Sequence, residues 1–399
     1  MTPRLTIVMP LKGRHLFTFR FLWHANRMRL PYRFLIADGQ VNEAVARHLG
    51  DSRKIFPELD IEYIRYPDDV DYSRYFAKMY DAMQRVRTPY VMHADNDDFL
   101  AFDGIERTLD FLDAHKDYVC SRGHYLTFSV YSGLGSSHGG ICGKFNGYYL
   151  YRDFKNATAS TAIERLRECG LDQALYYAVC RTDALVCIWR EIAEMDFSDL
   201  TLQENFVALR ALTLGKVHTD EQTITYYSQA GTGISYQPLR QWARQLLRSR
   251  FTSELHAMVE RIALAGAQAD GADRAAIAKE ASTILENYYE NLLSSNYGAL
   301  AQIKRTMRKK WPRLVRYLRN RPRFFLDREI AAALCKLTDA GANLKDVERI
   351  RGELAEIERA LSPSAFADFA GPFLPMVPAG GSRDWLYISD PACDAQESV

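Results

Sequence analysis

A chain of 399 residues with 51 Lys and Arg against 50 Asp and Glu carries a formal net charge of +1, so no global field draws in nucleic acid and any polyanion site must be local. Hydrophobic residues at 47% and aromatics at 12% exclude a disordered or low-complexity chain, and the length suits two domains or one large domain with an appendage. The seven Cys include no CxxC pair, the opening residues lack a secretory pattern, and no stretch is apolar enough to cross a bilayer, which sets the expectation of reduced thiols, no zinc site and a cytoplasmic chain.

Leu5 to Met9 is short, apolar and rich in β-branched residues, which predicts a strand ending at Pro10 and followed by the polar loop Lys12-Gly13-Arg14. An aromatic, helix-compatible run from Phe17 to Met28 comes next. A second strand, Tyr32 to Ala37, closes on Asp38-Gly39 and leads to a helix over 42–49. Ile61 to Tyr66 predicts a third strand. Over 73–86 apolar residues recur at three- and four-residue spacing, as on one face of a helix, until Thr88-Pro89 stops it. Tyr90 to Ala94 is the fourth strand, delivering Asp95-Asn96-Asp97-Asp98 at its carboxyl end. Strands separated by helices predict an α/β fold with a mainly parallel sheet, whose ligands gather beyond the carboxyl ends of the strands.

Residues 120–160 loosen into Gly, Ser and Tyr, which reads as a mobile loop or irregular hairpin beside a ligand. Tyr176 to Val179 is strand-like. Ser198 or Asp199 would cap a helix running to Leu214, with Gly215 as its stop, and short strands are expected at 216–218 and 223–227. From about Ser235 the sequence turns helical through 238–318 and 325–362, so the expected division is 1–235 and 236–399.

Three carboxylates and an amide within four residues repel one another unless a cation neutralises them, and oxygen ligands suit a hard divalent ion such as Mg²⁺ or Mn²⁺. Such an ion typically completes its shell with water and phosphate oxygens, which implies a diphosphate ligand. The alternative is an acidic turn that caps a helix near Phe99 without any ligand. An EF-hand is excluded, because Phe99 and Leu100 stand where a ligand and the turn Gly should be.

In order and spacing, Ile7 to Arg14, Leu35 to Gly39 and Thr88 to Phe99 resemble the family 2 type glycosyltransferases with the GT-A fold, over about residues 4–230. The resemblance implies a Rossmann-like nucleotide-sugar-binding domain followed here by an α-helical C-terminal region. Pro10, Leu11, Lys12 and Arg14 would border the nucleotide, Asp38 would accept from base or ribose, and Lys78 would reach the diphosphate. Asp95 and Asn96 would approach the donor, with Asp95 and Asp97 as metal ligands and Asp98 nearby. His218 would complete the metal shell, against the plainer reading of a structural histidine. Arg14 and Lys78 have the equally plain reading of solvated cations.

An inverting member needs a carboxylate base, and Gln203 to Arg210 followed by Gly215 has the spacing of the family's acidic motif, which makes Glu204 the candidate and Asp199 the second choice. Each also reads as an ordinary helix-start acid. Arg181 and His138 are placed on the acceptor side. Lys304 to Arg323 holds ten Lys or Arg and no acid, interleaved with Trp311 and Tyr317, which suits adhesion to an anionic membrane surface or a solvated helix pair more than nucleic acid.

The expected function is therefore metal-dependent transfer of a sugar from a nucleotide-diphosphate sugar to a glycan or lipid-linked acceptor, with Mn²⁺ or Mg²⁺, in surface polysaccharide assembly on the cytoplasmic face of a membrane. The alternatives are a sugar-phosphate nucleotidyltransferase, for which Lys12-Gly13-Arg14 is a poor phosphate loop, and a non-catalytic scaffold of the same fold.

Overall fold

Leu5–Leu11 is buried along almost its whole length, which a strand covered by helices on both faces requires, and it forms β1 at the centre of a parallel group. The computed structural model describes residues 3–40, 42–131, 140–150, 154–230, 249–297 and 326–371. β1 leads into α1 (His15–Arg27), β2 (Arg33–Asp38), α2 (Glu43–Gly50), α3 (Ser52–Ile55), β3 (Asp60–Arg65), α4 (Tyr72–Gln84) and β4 (Tyr90–His93). Asp71 caps α4 by accepting from the Arg74 N–H, satisfying one of the helix's orphan donors. β3, β2, β1 and β4 lie side by side in that order and all parallel.

Beyond β4 the direction changes. β5 (Phe99–Leu100) and α5 (Phe102–Ala114) precede the long β6 (Tyr118–Tyr131), which hydrogen-bonds antiparallel to β7 (Lys144–Leu150) at its far end. After α6 (Ala162–Cys169) and a short 3₁₀ turn over Gln173–Tyr177, β8 (Val179–Arg181) bridges β4 and β6, antiparallel to both. α7 (Thr182–Met195) and α8 (Leu200–Leu214) then lead to β9 (Lys216–Gln229), which runs parallel to β6 and antiparallel to β5. Among the described residues these nine strands make one mixed sheet.

The α/β class with flanking helices is as expected, and the parallel character is concentrated in the first four strands and the β6–β9 pair. Of the mobile loop or irregular hairpin expected over 120–160, the described residues show β6 and β7 paired antiparallel with a register shift between Phe128 and Ser129, which is the irregular hairpin. The short strands expected at 216–218 and 223–227 are one strand, β9, with register shifts against β6 near Gly123 and His124. α7 was not foreseen, although Leu185, Ile188, Trp189 and Ile192 have helical spacing and are buried.

Two hydrophobic clusters cover the two faces of the sheet. One joins Phe76 and Met79 of α4 to Trp189 of α7 and Phe206 of α8, and continues into α9 (Ser249–Asp270) and α10 (Arg274–Tyr297) through Met258, Ile262, Ile277 and Leu285. α11 (Leu326–Asp339) and α12 (Leu344–Ala360) pack in a third cluster with β5, β7 and β9, while α13 (Pro363–Ala370) lays Phe366 and Phe369 in the α1 cluster. Each such side chain stabilises the packing by roughly 1.5 to 3 kcal/mol on burial. Among the described residues no helix is long and apolar enough to cross a membrane. The basic stretch 304–323 and the expected boundary at 235 lie outside the described residues.

Candidate functional site

The carboxyl ends of β1, β2 and β4 converge, and each brings a different chemistry. β1 runs into Gly13 at φ 67° and Arg14 at φ 54°, a left-handed turn that glycine adopts without strain and that aims the chain into α1. β2 ends at Asp38, buried to 1% exposure, whose Oδ2 accepts from Tyr63 Oη at 2.6 Å and Oδ1 from the Gln40 N–H at 2.9 Å. Burial raises its pKa against those two hydrogen bonds. β4 ends at His93, and Asp95 to Asp98 follow.

Asp95, Asp97 and Asp98 each offer an oxygen within 4.8 Å of one another. That is close to the roughly 4 Å across which the oxygens around one hard divalent cation lie, so the three residues fit Mg²⁺ or Mn²⁺. Each carboxylate is held by a different residue. Asp95 Oδ2 accepts from Tyr177 Oη at 2.6 Å, and its backbone N–H donates to Tyr226 Oη at 3.0 Å. Asp98 Oδ1 accepts from the Gln229 N–H at 2.6 Å. Asp97 Oδ2 lies 2.7 Å from Arg14 Nη2. Burial, with repulsion from Asp97, raises Asp95 to about 6, and burial with repulsion from Asp97 and Asp95 raises Asp98 well above its ordinary value. Crowded anions that hold protons this strongly release them to a bound cation.

Arg20 was not singled out in the sequence, where it sits inside an aromatic helical run. It is fully buried, sandwiched over the rings of Phe17 and Phe99 at 4.9 and 4.8 Å, and donates to the backbone oxygens of Asp97 and Ile141 and to Gln229 Oε1. It ties the acid loop to the end of β9. Asn96 is also spent internally: its Nδ2 donates to Arg14 O and Thr18 Oγ1, locking the acid loop onto the β1–α1 turn. Behind the loop, His93 is kept neutral by burial, its pKa lowered to about 3, while it accepts from Trp189 Nε1 at 2.7 Å and stacks on Tyr176.

Glu204 stands one turn into α8, which Asp199 caps by accepting from the Thr201 N–H at 2.8 Å. Burial, then the charges of Asp95 and Asp199, push Glu204 up to about 8. Tyr75, Tyr176, Tyr177 and Tyr288 all feel the Glu204 charge, so a half-buried carboxyl and a set of phenols share the space next to Asp95. Tyr288 comes from α10 and reaches Gln173 Oε1 at 3.3 Å, while the same Gln173 donates to Asn205 Oδ1. None of the tyrosines is legible as a site residue, because Tyr75 at helical spacing reads as core and Tyr176 and Tyr177 read as part of a strand-like run.

Lys78 reaches neither solvent nor open space. It is paired with Asp69 at 2.5 Å, both 2% exposed in their side chains, over the ring of Tyr75. Asp69 in turn abuts Gly39, where a Cβ would lie 2.0 Å from Asp69 Oδ2. Gly39→Ala is therefore expected to push Asp69 away and leave a buried ammonium unpaired, destabilising the fold by about 3 kcal/mol or more in urea melts. A loss under ~1 kcal/mol would mean that the pair is free to move. Pro10 and Leu11 are the last two residues of β1, paired with Ala37 and Asp38 of β2, and Lys12 is exposed at the rim of the sheet.

Besides Lys78, two expected site residues lie away from the acid cluster. His218 lies at the start of β9, its β6 partner Ser121 seven residues before the partner of Gln229, which puts it roughly 20 Å along the sheet from the Gln229 that holds Asp98. Its ring stacks on Phe111 at 3.6 Å and Nδ1 bonds Ser121 Oγ, so the structure does not bring it to the acid cluster. Arg181 pairs with Tyr90 at the beginning of β4, the opposite end of the strand from the acids. It donates to the Tyr118, Leu112 and His115 carbonyls, closing the C-terminus of α5, where a cation also complements the helix dipole. His138 lies outside the described residues.

No family model matches the chain, and no curated protein matches it. Among solved structures it is similar to S. aureus TarS 1-349, at 12% identity over 89% of this chain and 91% of that one, with a TM-score of 0.46. The same protein in complex with UDP-GlcNAc aligns at 12% identity over 89% and 92% of the two chains, with a TM-score of 0.44. Mannosyltransferase PcManGT from Pyrobaculum calidifontis, in complex with GDP-Man and Mn²⁺, aligns at 11% identity over 85% and 88%, with a TM-score of 0.37. These are likenesses of overall shape at low identity, and the function rests on the chemistry of the site.

Proposed function

We propose that the chain is a metal-dependent glycosyltransferase that moves a sugar from a nucleotide-diphosphate sugar to a hydroxyl acceptor with inversion. The observation that carries the reading is the meeting of three anchored carboxylates at the carboxyl edge of the parallel strands with a carboxyl of raised pKa, Glu204, beside them. Two neighbouring carboxylic sites at unlike pKa suit a cation-holding role and a proton-accepting role.

Asp97 and Asp95, with Asp98 beside them, would hold Mn²⁺ or Mg²⁺, which supplies Lewis acidity toward the departing diphosphate. Asp38 accepts from the base or ribose of the nucleotide. Lys12 stands at the rim where it meets a phosphate. Glu204 takes the proton of the acceptor hydroxyl as that oxygen attacks, with Asp199 holding the start of its helix. Tyr75, Tyr177 and Tyr288 offer flat apolar faces and hydroxyls to a sugar ring. A glycan or lipid-linked acceptor, assembly of a surface polysaccharide and a place on the cytoplasmic face of a membrane belong to the same reading.

The test is a screen of nucleotide sugars for donor turnover with and without Mn²⁺. Metal-dependent release of UDP or GDP supports the reading. Nucleotide binding without turnover of any donor in the presence of acceptor glycans favours the scaffold, and release of pyrophosphate from a nucleoside triphosphate and a sugar phosphate favours a nucleotidyltransferase.

A further inference from the structure

Arg14 occupies an unusual place for a surface-loop cation. Its side chain is nine-tenths buried, with Nη2 2.7 Å from Asp97 Oδ2. The contact is close in distance but is not a directed hydrogen bond, and Nε has no partner either. A buried guanidinium with unanswered N–H groups costs free energy unless an anion satisfies them for part of the protein's working life.

Arg20 stands close enough for the two cations to repel, yet its own contacts are with backbone oxygens and Gln229, so it is fixed. Arg20 leaves only Nε without a partner, pressed between two rings, whereas Arg14 leaves both Nε and the terminal Nη2 that faces Asp97. Even with all three carboxylates ionised, two guanidiniums leave the cluster no more than one net negative charge. A divalent cation arriving alone meets little net attraction and a carboxylate already paired. One arriving with a diphosphate brings the negative charge that a released guanidinium needs, and Arg guanidinium groups bind phosphate oxygens bidentately.

We propose that Arg14 is an exchangeable counter-ion: it holds Asp97 while no cation is bound and transfers to a diphosphate oxygen when a divalent cation takes that carboxylate. This rests on the glycosyltransferase reading and adds to it that cation and nucleotide bind cooperatively, with weak cation binding in the absence of nucleotide. By linkage, the factor by which the nucleotide tightens the cation equals the factor by which the cation tightens the nucleotide.

The test is titration of the full chain with Mn²⁺, following free Mn²⁺ by its paramagnetic resonance signal, with and without UDP or GDP, in the wild type and in Arg14→Gln. The wild type should bind Mn²⁺ at least about tenfold more tightly with the nucleoside diphosphate. Arg14→Gln should bind nucleotide-free Mn²⁺ about tenfold more tightly than wild type and show a smaller gain from nucleotide. Arg14→Lys, which keeps the charge on a different reach and lacks the planar fork, should fall between them and serves if the Gln variant does not fold. Nucleotide-free affinity equal to or weaker than wild type in the folded variants overturns the proposal while leaving the enzyme reading intact. Absence of Mn²⁺ binding to the wild type under every condition overturns both.

Discussion

Asp97→Asn should abolish the stabilisation of the protein by UDP or GDP with Mn²⁺ and lower metal-dependent donor turnover by about a thousandfold or more, since it removes a charged ligand from the point where leaving-group charge develops. The exchange keeps the volume of the side chain but also takes away the partner of the Arg14 guanidinium. A thermal melt without ligand separates the two effects. If the variant folds and still gives a Mn²⁺-dependent nucleotide shift of wild-type size, Asp97 is not a metal ligand and the acid cluster is no more than a charged turn.

Glu204→Gln should cut kcat by roughly a hundred- to ten-thousandfold with nucleotide affinity unchanged, the effect of deleting a general base without touching the donor site. The pH dependence provides a second reading of the same carboxyl. Its folded pKa of about 8 lies above the ordinary value of 4.5, so the folded chain keeps a proton that the unfolded chain has lost. Metal-free stability should therefore fall as pH rises from about 4.5 to 8 and level off beyond, and Glu204→Gln should flatten that slope. Activity should move the opposite way, rising as Glu204 deprotonates toward pH 8. A bound cation relieves the repulsion from Asp95 and shifts the rise to lower pH. A Gln variant with wild-type kcat would move the base to another residue, and Asp199, which is occupied as a helix cap, is the next to replace.

The parallel half of the molecule was legible because each of β1, β2 and β4 is a short apolar run buried on both faces and punctuated by a helix. The acids at its edge were legible for the same reason: strand order in a parallel sheet dictates where carboxyl ends lie. The second half was not. β6 is fourteen residues long but polar and glycine-bearing, and it is stabilised by partners on both sides whose positions no local pattern reveals. His218 and Arg181 were misplaced because spacing along the chain says nothing about which end of a strand faces the ligand. Arg20 and the Lys78–Asp69 pair were hidden because burial of a charge depends on a partner distant in sequence, and an Arg in an amphipathic helix looks solvated until the opposing rings of Phe17 and Phe99 are known.

The acid loop is bonded to residues 131 positions downstream, through Asp98 to the Gln229 backbone and through the Asp95 backbone to the Tyr226 hydroxyl. Such distant closures form late and slowly in a folding chain. The carboxylate group that would take a cation is thus one of the last parts to be assembled, after the first four strands have every means to pair among themselves. Uptake of a lanthanide or Mn²⁺ during refolding would then time the final step of maturation, and a nascent chain still short of Gln229 would be well structured over its first hundred residues while having no capacity to bind the ion.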